Sequence, residues 1–83
     1  MMMQRLRDDM LRQLASIATG NLCQPDYQVS SQHHVVDGKP WSLYTISPIV
    51  KNKMYIFSGL TMREAVDRVE NWINSDEFDR VLK

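Results

Sequence analysis

The dipeptide Asp37-Gly38 separates two runs rich in β-branched and aromatic residues, "YQVSSQHHVV" before it and "WSLYTISPIV" after it. Nothing else in the chain restricts the fold as strongly. Asp-Gly accepts the positive φ angles of a two-residue hairpin turn, and such a turn sets the flanking runs in one antiparallel register. With Val36 opposite Lys39, pairing outward puts Val29 opposite Ile46, Ser31 opposite Tyr44 and His33 opposite Ser42. Side chains alternate along a strand, so these pairs share one face. The other face carries His34 opposite Trp41, Gln32 opposite Leu43 and Ser30 opposite Thr45. The turn "KNK" then leads into a third run, "MYIFS". Its Tyr55 and Phe57 extend the first face, which is therefore the expected core side. A slip of one residue would exchange the two faces.

Helical periods bracket these strands. Met3, Leu6, Met10, Leu14 and Ile17 recur every three or four residues, the spacing of an amphipathic helix. Arg5, Asp8, Asp9, Arg12 and Gln13 fall on its opposite, solvent side. Gly20 followed by Asn21 is a stop signal, and "NLCQPDYQ" reads as a loop. Near the end, Thr61 with Glu64 fits a capping box, and Met62, Ala65, Val66, Val69, Trp72 and Ile73 form one apolar stripe. Asn74 and Ser75 interrupt it before a short last helix bearing Phe78, Val81 and Leu82. The expectation is one α+β domain over residues 1–83. Its order is α-β-β-β-α, a three-stranded antiparallel sheet with two helices packed on one face and a short C-terminal helical extension.

Size and charge narrow the function classes. An 83-residue chain buries a modest share of its surface. Cys23 is the lone cysteine, so no internal disulfide supplements the core, and a second copy of the chain is one candidate source of stability. No apolar run resembles a signal-peptide core or a membrane span, which makes the cytoplasm the expected location and leaves no membrane partner. Ten basic and ten acidic residues cancel. Residues 1–60 carry six Lys/Arg against four Asp/Glu and residues 61–83 four against six, far from the basic stripe of a dedicated nucleic-acid binder.

The reactive residue types do not assemble into a catalytic or metal motif. His33 and His34 are adjacent on a strand and point to opposite faces, so they cannot close on one ion, and zinc needs three or four ligands. The three glycines are isolated at positions 20, 38 and 59, which excludes a phosphate-cradling loop, and no nucleophile elbow is present. The chain reads as a non-enzyme without cofactor or metal.

Two resemblances follow from the element order. "SSQHHVV" on a strand, in a helix–three-strand–helix chain, resembles the HicA toxins, small messenger-RNA-cleaving proteins whose motif places a histidine on a strand after glycine and serine; here no glycine precedes, and Gln32 stands between Ser31 and His33. The order is also similar to that of double-stranded-RNA-binding domains, whose last helix opens with lysines. In this chain that position reads "LTMREAVDRVE", with Arg63 and Arg68 offset by Glu64, Asp67 and Glu70. These resemblances imply a nucleic-acid-binding or RNA-cleaving module using His33 or His34 with Lys39, Lys51 and Lys53.

The residues themselves favour a protein partner. In the expected register Trp41 and Leu43 project from the sheet away from the helices, beside His34 and Gln32, with Ile56 as a neighbour. An exposed tryptophan next to an aliphatic residue is the composition of a binding hot spot, and exposed apolar patches mark interfaces. A second candidate surface is the methionine-rich start, Met1, Met2, Met3 and Met10. The expected function is that of a small regulatory protein-binding module, with self-association as a further mode. Small neutral chains without cofactor motifs are often accessory factors of phages and mobile elements, an expectation from size class alone.

Overall fold

A computed structural model describes the backbone of residues 2–83 and the side chains from residue 5 onward. Helix α1 (Met2–Ala18) leads through a loop into β1 (Tyr27–Val36) and β2 (Lys39–Val50), followed by the short strands β3 (Lys53–Met54) and β4 (Phe57–Gly59). Helices α2 (Met62–Ile73) and α3 (Asp76–Leu82) close the chain. The α+β class and the antiparallel sheet stand as the sequence indicates, with one difference. The third strand is divided into β3 and β4, both on β2. The register runs through the break: Ile49 pairs with Met54 and Ile46 with Phe57, and between them the Tyr55 amide donates to the Pro48 carbonyl at 2.9 Å.

Turn chemistry sets this register. Asp37 and Gly38 have φ of 53° and 77°, and Lys51 and Asn52 have 52° and 64°, so both hairpins close with two left-handed residues, the pattern that matches strand twist. The β1–β2 pairing is the one derived from Asp-Gly, from Val36 opposite Lys39 to Tyr27 opposite Pro48.

The core lies on the expected face. Met10, Leu14 and Ile17 of α1 meet Tyr27, Ile46 and Val50 of the sheet and Ala65, Val66, Val69, Trp72 and Ile73 of α2. Trp72 organises its far end, with the rings of Tyr55, Phe57 and Phe78 centred 4.9, 5.2 and 4.9 Å away. Phe78 and Leu82 are buried, so α3 joins the helical side, where the Arg7 guanidinium sits 5.4 Å over the Phe78 ring and pairs with Asp79. The outer sheet face is thus not where the C-terminal segment packs.

Three local expectations need correction. Gln13 is 8% exposed and does not face solvent: its amide donates to Asp9 (3.0 Å) and Asp26 (2.8 Å) and accepts from the Asp26 amide (3.1 Å), pinning the loop before β1 to α1. Thr61 caps the Glu64 amide at 3.0 Å, but the Glu64 carboxylate accepts from Arg68, so among the described residues only half of the capping box forms. Met10 is fully buried and is core, because Tyr27 and the α2 stripe cover it; the other members of the methionine surface, Met1, Met2 and Met3, lie outside the residues whose side chains are described.

Candidate functional site

The β1–β2 hairpin outruns the helices. Every residue from Ser31 to Trp41 is exposed, and the molecule measures 51 × 23 × 20 Å. A twelve-residue strand such as β2 is about 36 Å from first to last residue, longer than the seventeen-residue α1, which spans about 25 Å. The core therefore ends near Val29 and Tyr44, and the rest of the hairpin is an arm with two solvent faces.

On the outer face of this arm His34 stacks on Trp41, ring centres 4.5 Å apart and 21° from parallel. The His34 Nε2 lies 3.2 Å from the Gln32 Oε1, and Gln32 pairs across the strands with Leu43. These four residues form one continuous patch. Trp41 retains 39% of its accessible surface and Leu43 is half-buried. Below them Thr45 and Ser58 share a hydroxyl–hydroxyl contact at 3.4 Å. From Gln28 to His34 on β1 and from Trp41 to Thr45 on β2 no residue carries a formal charge. An aromatic–aliphatic patch framed by neutral polar groups can bury itself without desolvating an ion.

Ile56 is not part of this patch. It is 69% exposed and shares the outer face by alternation with Ser58, but the continuous register places it beside Ser47, six residues along β2 from Trp41, about 20 Å away. Sequence reasoning put it next to Trp41 because local patterning gives the face of a residue and not its height on a long strand.

The inner face of the arm carries His33. Its Nδ1 is 2.7 Å from the Ser42 Oγ, and its ring meets Tyr44 edge-on at 6.5 Å. His33 and His34 point to opposite faces, as alternation requires. Among the described residues no group of three or more His, Cys, Asp or Glu is placed to hold a metal ion. Lys39 lies at the arm tip, whereas Lys51 is in the turn at the far end of β2 and Lys53 directly follows it, about 36 Å away along the strand. There Lys51 donates to the carbonyls of Leu82 (2.6 Å) and Lys83 (3.1 Å), neutralising the C-terminal end of α3, beside a cleft of about 450 Å³ shared by Lys53, Tyr55, Glu77 and Arg80. His33, Lys39, Lys51 and Lys53 thus do not converge on one surface.

Comparison of the chain with protein-family models, with curated proteins and with solved structures found no match. No helix among the described residues is long and apolar enough to cross a membrane.

Proposed function

We propose that this chain is a protein-binding accessory module that contacts its partner through the outer face of the β1–β2 arm. The observation that supports this reading most is the half-exposed Trp41, stacked on His34 and flanked by Leu43, on a sheet face opposite both long helices. A pre-stacked indole on paired strands loses little side-chain freedom on binding, and desolvated aromatic anchors of this kind supply most of an interface's energy. His34 and Gln32 provide the rim, with hydrogen-bonding capacity and no charge to strip of water.

Capture from native-host lysate, with and without nuclease, tests the reading on three forms: the wild type, Trp41→Ala, and the double variant Lys51→Glu with Lys53→Glu. The expected result is a protein partner that survives nuclease and salt, is retained by the lysine variant and is lost by Trp41→Ala, at a cost of about 2 kcal/mol or more in affinity. Phosphate-mediated binding weakens steeply with salt. Recovery of RNA or DNA by the wild type, lost in the lysine variant and indifferent to Trp41→Ala, would overturn the proposal in favour of the turn bearing Lys51 and Lys53.

A further inference from the structure

The edge of the arm says more than its face. β1 is paired on one side by β2 and ends the strand order. The Ile49 amide donates to the Asp26 carbonyl at 2.8 Å, so even-numbered residues of this segment turn their main-chain groups toward β2. By alternation Val29, Ser31, His33 and Val35 turn theirs outward. The next outward amide toward the N-terminus, that of Tyr27, is taken by the Gln24 carbonyl at 3.3 Å, and the turn at Asp37 ends the row on the other side. The free edge thus runs from Val29 to Val35, with Gln32 at its midpoint.

Natural edge strands block pairing with lysines, prolines or bulges. This one has none: from Tyr27 to Val36 no residue is charged and none is proline, and its pairing with β2 is regular throughout. An antiparallel copy of the same strand therefore meets no like charge at any position. The ends are complementary as well. Val35, on the inner face near the tip, is 72% exposed. Val29, on the same face at the base, borders two clefts of about 560 and 160 Å³ that both include Leu22, itself 44% exposed. Knob and cleft lie three residues either side of Gln32.

We infer that two copies of this chain join through β1, antiparallel about a twofold axis at Gln32. Val29 of each copy then pairs with Val35 of the other and Ser31 with His33, each pair exchanging two main-chain hydrogen bonds, and each Val35 enters the cleft beside the other copy's Leu22. The contact is isologous and closes at two copies. A twofold axis normal to the sheet keeps both sets of helices on one side. The two four-stranded sheets become one, and both Trp41 patches lie on its single outer face. This pairing does not depend on what those patches bind. The free edge from Val29 to Val35 is only about 20 Å long, so the interface sits at the low end of the size range, and dissociation on the order of micromolar or weaker is expected.

Sedimentation equilibrium of the purified chain from about 1 µM to about 1 mM tests this with charge variants at the axis. Gln32 meets itself there as a closely spaced pair, and in the free chain it is exposed, so Gln32→Lys and Gln32→Glu should fold normally by circular dichroism. The wild type is expected to double in mass as concentration rises. Each variant alone should stay monomeric, shifting dissociation at least tenfold, and an equimolar mixture of the two should recover the dimer. A wild type that remains monomeric throughout overturns the inference. So does a dimer indifferent to either charge, or a mixture that fails to associate.

Discussion

Tyr27 shows how one residue couples the two halves of the fold. Its ring belongs to the core, and its hydroxyl donates to the Met10 carbonyl of α1 at 2.9 Å, a bond worth about 1 kcal/mol. Burial, with the nearby carboxylates of Asp26 and Asp9 adding to it, holds the phenol above its ordinary range. Because the folded chain keeps this proton when the unfolded chain releases it, near pH 10, the stabilisation is complete below that pH and declines as pH rises beyond it. Urea unfolding followed from neutral pH to about pH 11 should show a steep loss of stability in the wild type. Tyr27→Phe should start about 1 kcal/mol lower and lose less over the same interval. Parallel curves for the two proteins would mean that other groups govern alkaline unfolding. The position of Tyr27 as first residue of a strand is readable from the sequence. Its contact with α1 is not, since nothing local says which backbone a phenol will reach.

Among the elements, the start of α2 lies tight against β4 at Gly59. A Cβ on Gly59 would lie 2.7 Å from the Ala65 amide nitrogen and 2.9 Å from the Glu64 Cβ, and the first of these atoms is backbone that cannot step aside. Gly59→Ala should therefore destabilise the protein by about 1–3 kcal/mol, measured as a shift of the urea midpoint at unchanged slope. A neutral outcome would show that the start of α2 can slide outward. The glycine is visible in the sequence only as one of three isolated glycines; the reason for it is a helix crossing a strand. Element identity, by contrast, is local. The three- and four-residue spacing of Leu6, Met10, Leu14 and Ile17 and the Asp-Gly turn specify α1 and the β1–β2 register without reference to the rest of the chain. The two-residue turn at Lys51 and Asn52, made without glycine, is legible from position, though a lysine at positive φ is uncommon.

For the molecule as a whole, a seven-residue helix such as α3 is too short to hold by itself, and it is anchored at both ends. Phe78 is fully buried against Trp72, Arg7 donates to the Ile73 carbonyl at 2.9 Å and pairs with Asp79, and Lys51 holds the final carbonyls. Contacts from α1, α2 and the sheet thus converge on α3. Phe78→Ala should cost about 3–5 kcal/mol, a large part of the stability of a domain this small, and thermal unfolding should remain a single transition at lower temperature. A separate early melting of residues 75–83 with the main transition unmoved would mean that α3 is an appendage.

What the sequence determined by itself is what short-range chemistry controls: the helices through their period, the hairpin register through two turn residues, and hence which side chains share a face. His34, Trp41, Gln32 and Leu43 come together for that reason alone. Only the tertiary structure decided how far the helices extend beneath the sheet. Val29, His33 and Val35 share the inner face, yet Val29 borders the core while His33 and Val35 are exposed, because α1 and α2 end short of the arm. The β1 edge is open because β3 and β4 both pair with β2, and the register of that second pairing sets Ile56 far from Trp41. Alternation is dictated by the geometry of one strand, whereas coverage is set by the relative lengths and crossings of elements distant in sequence.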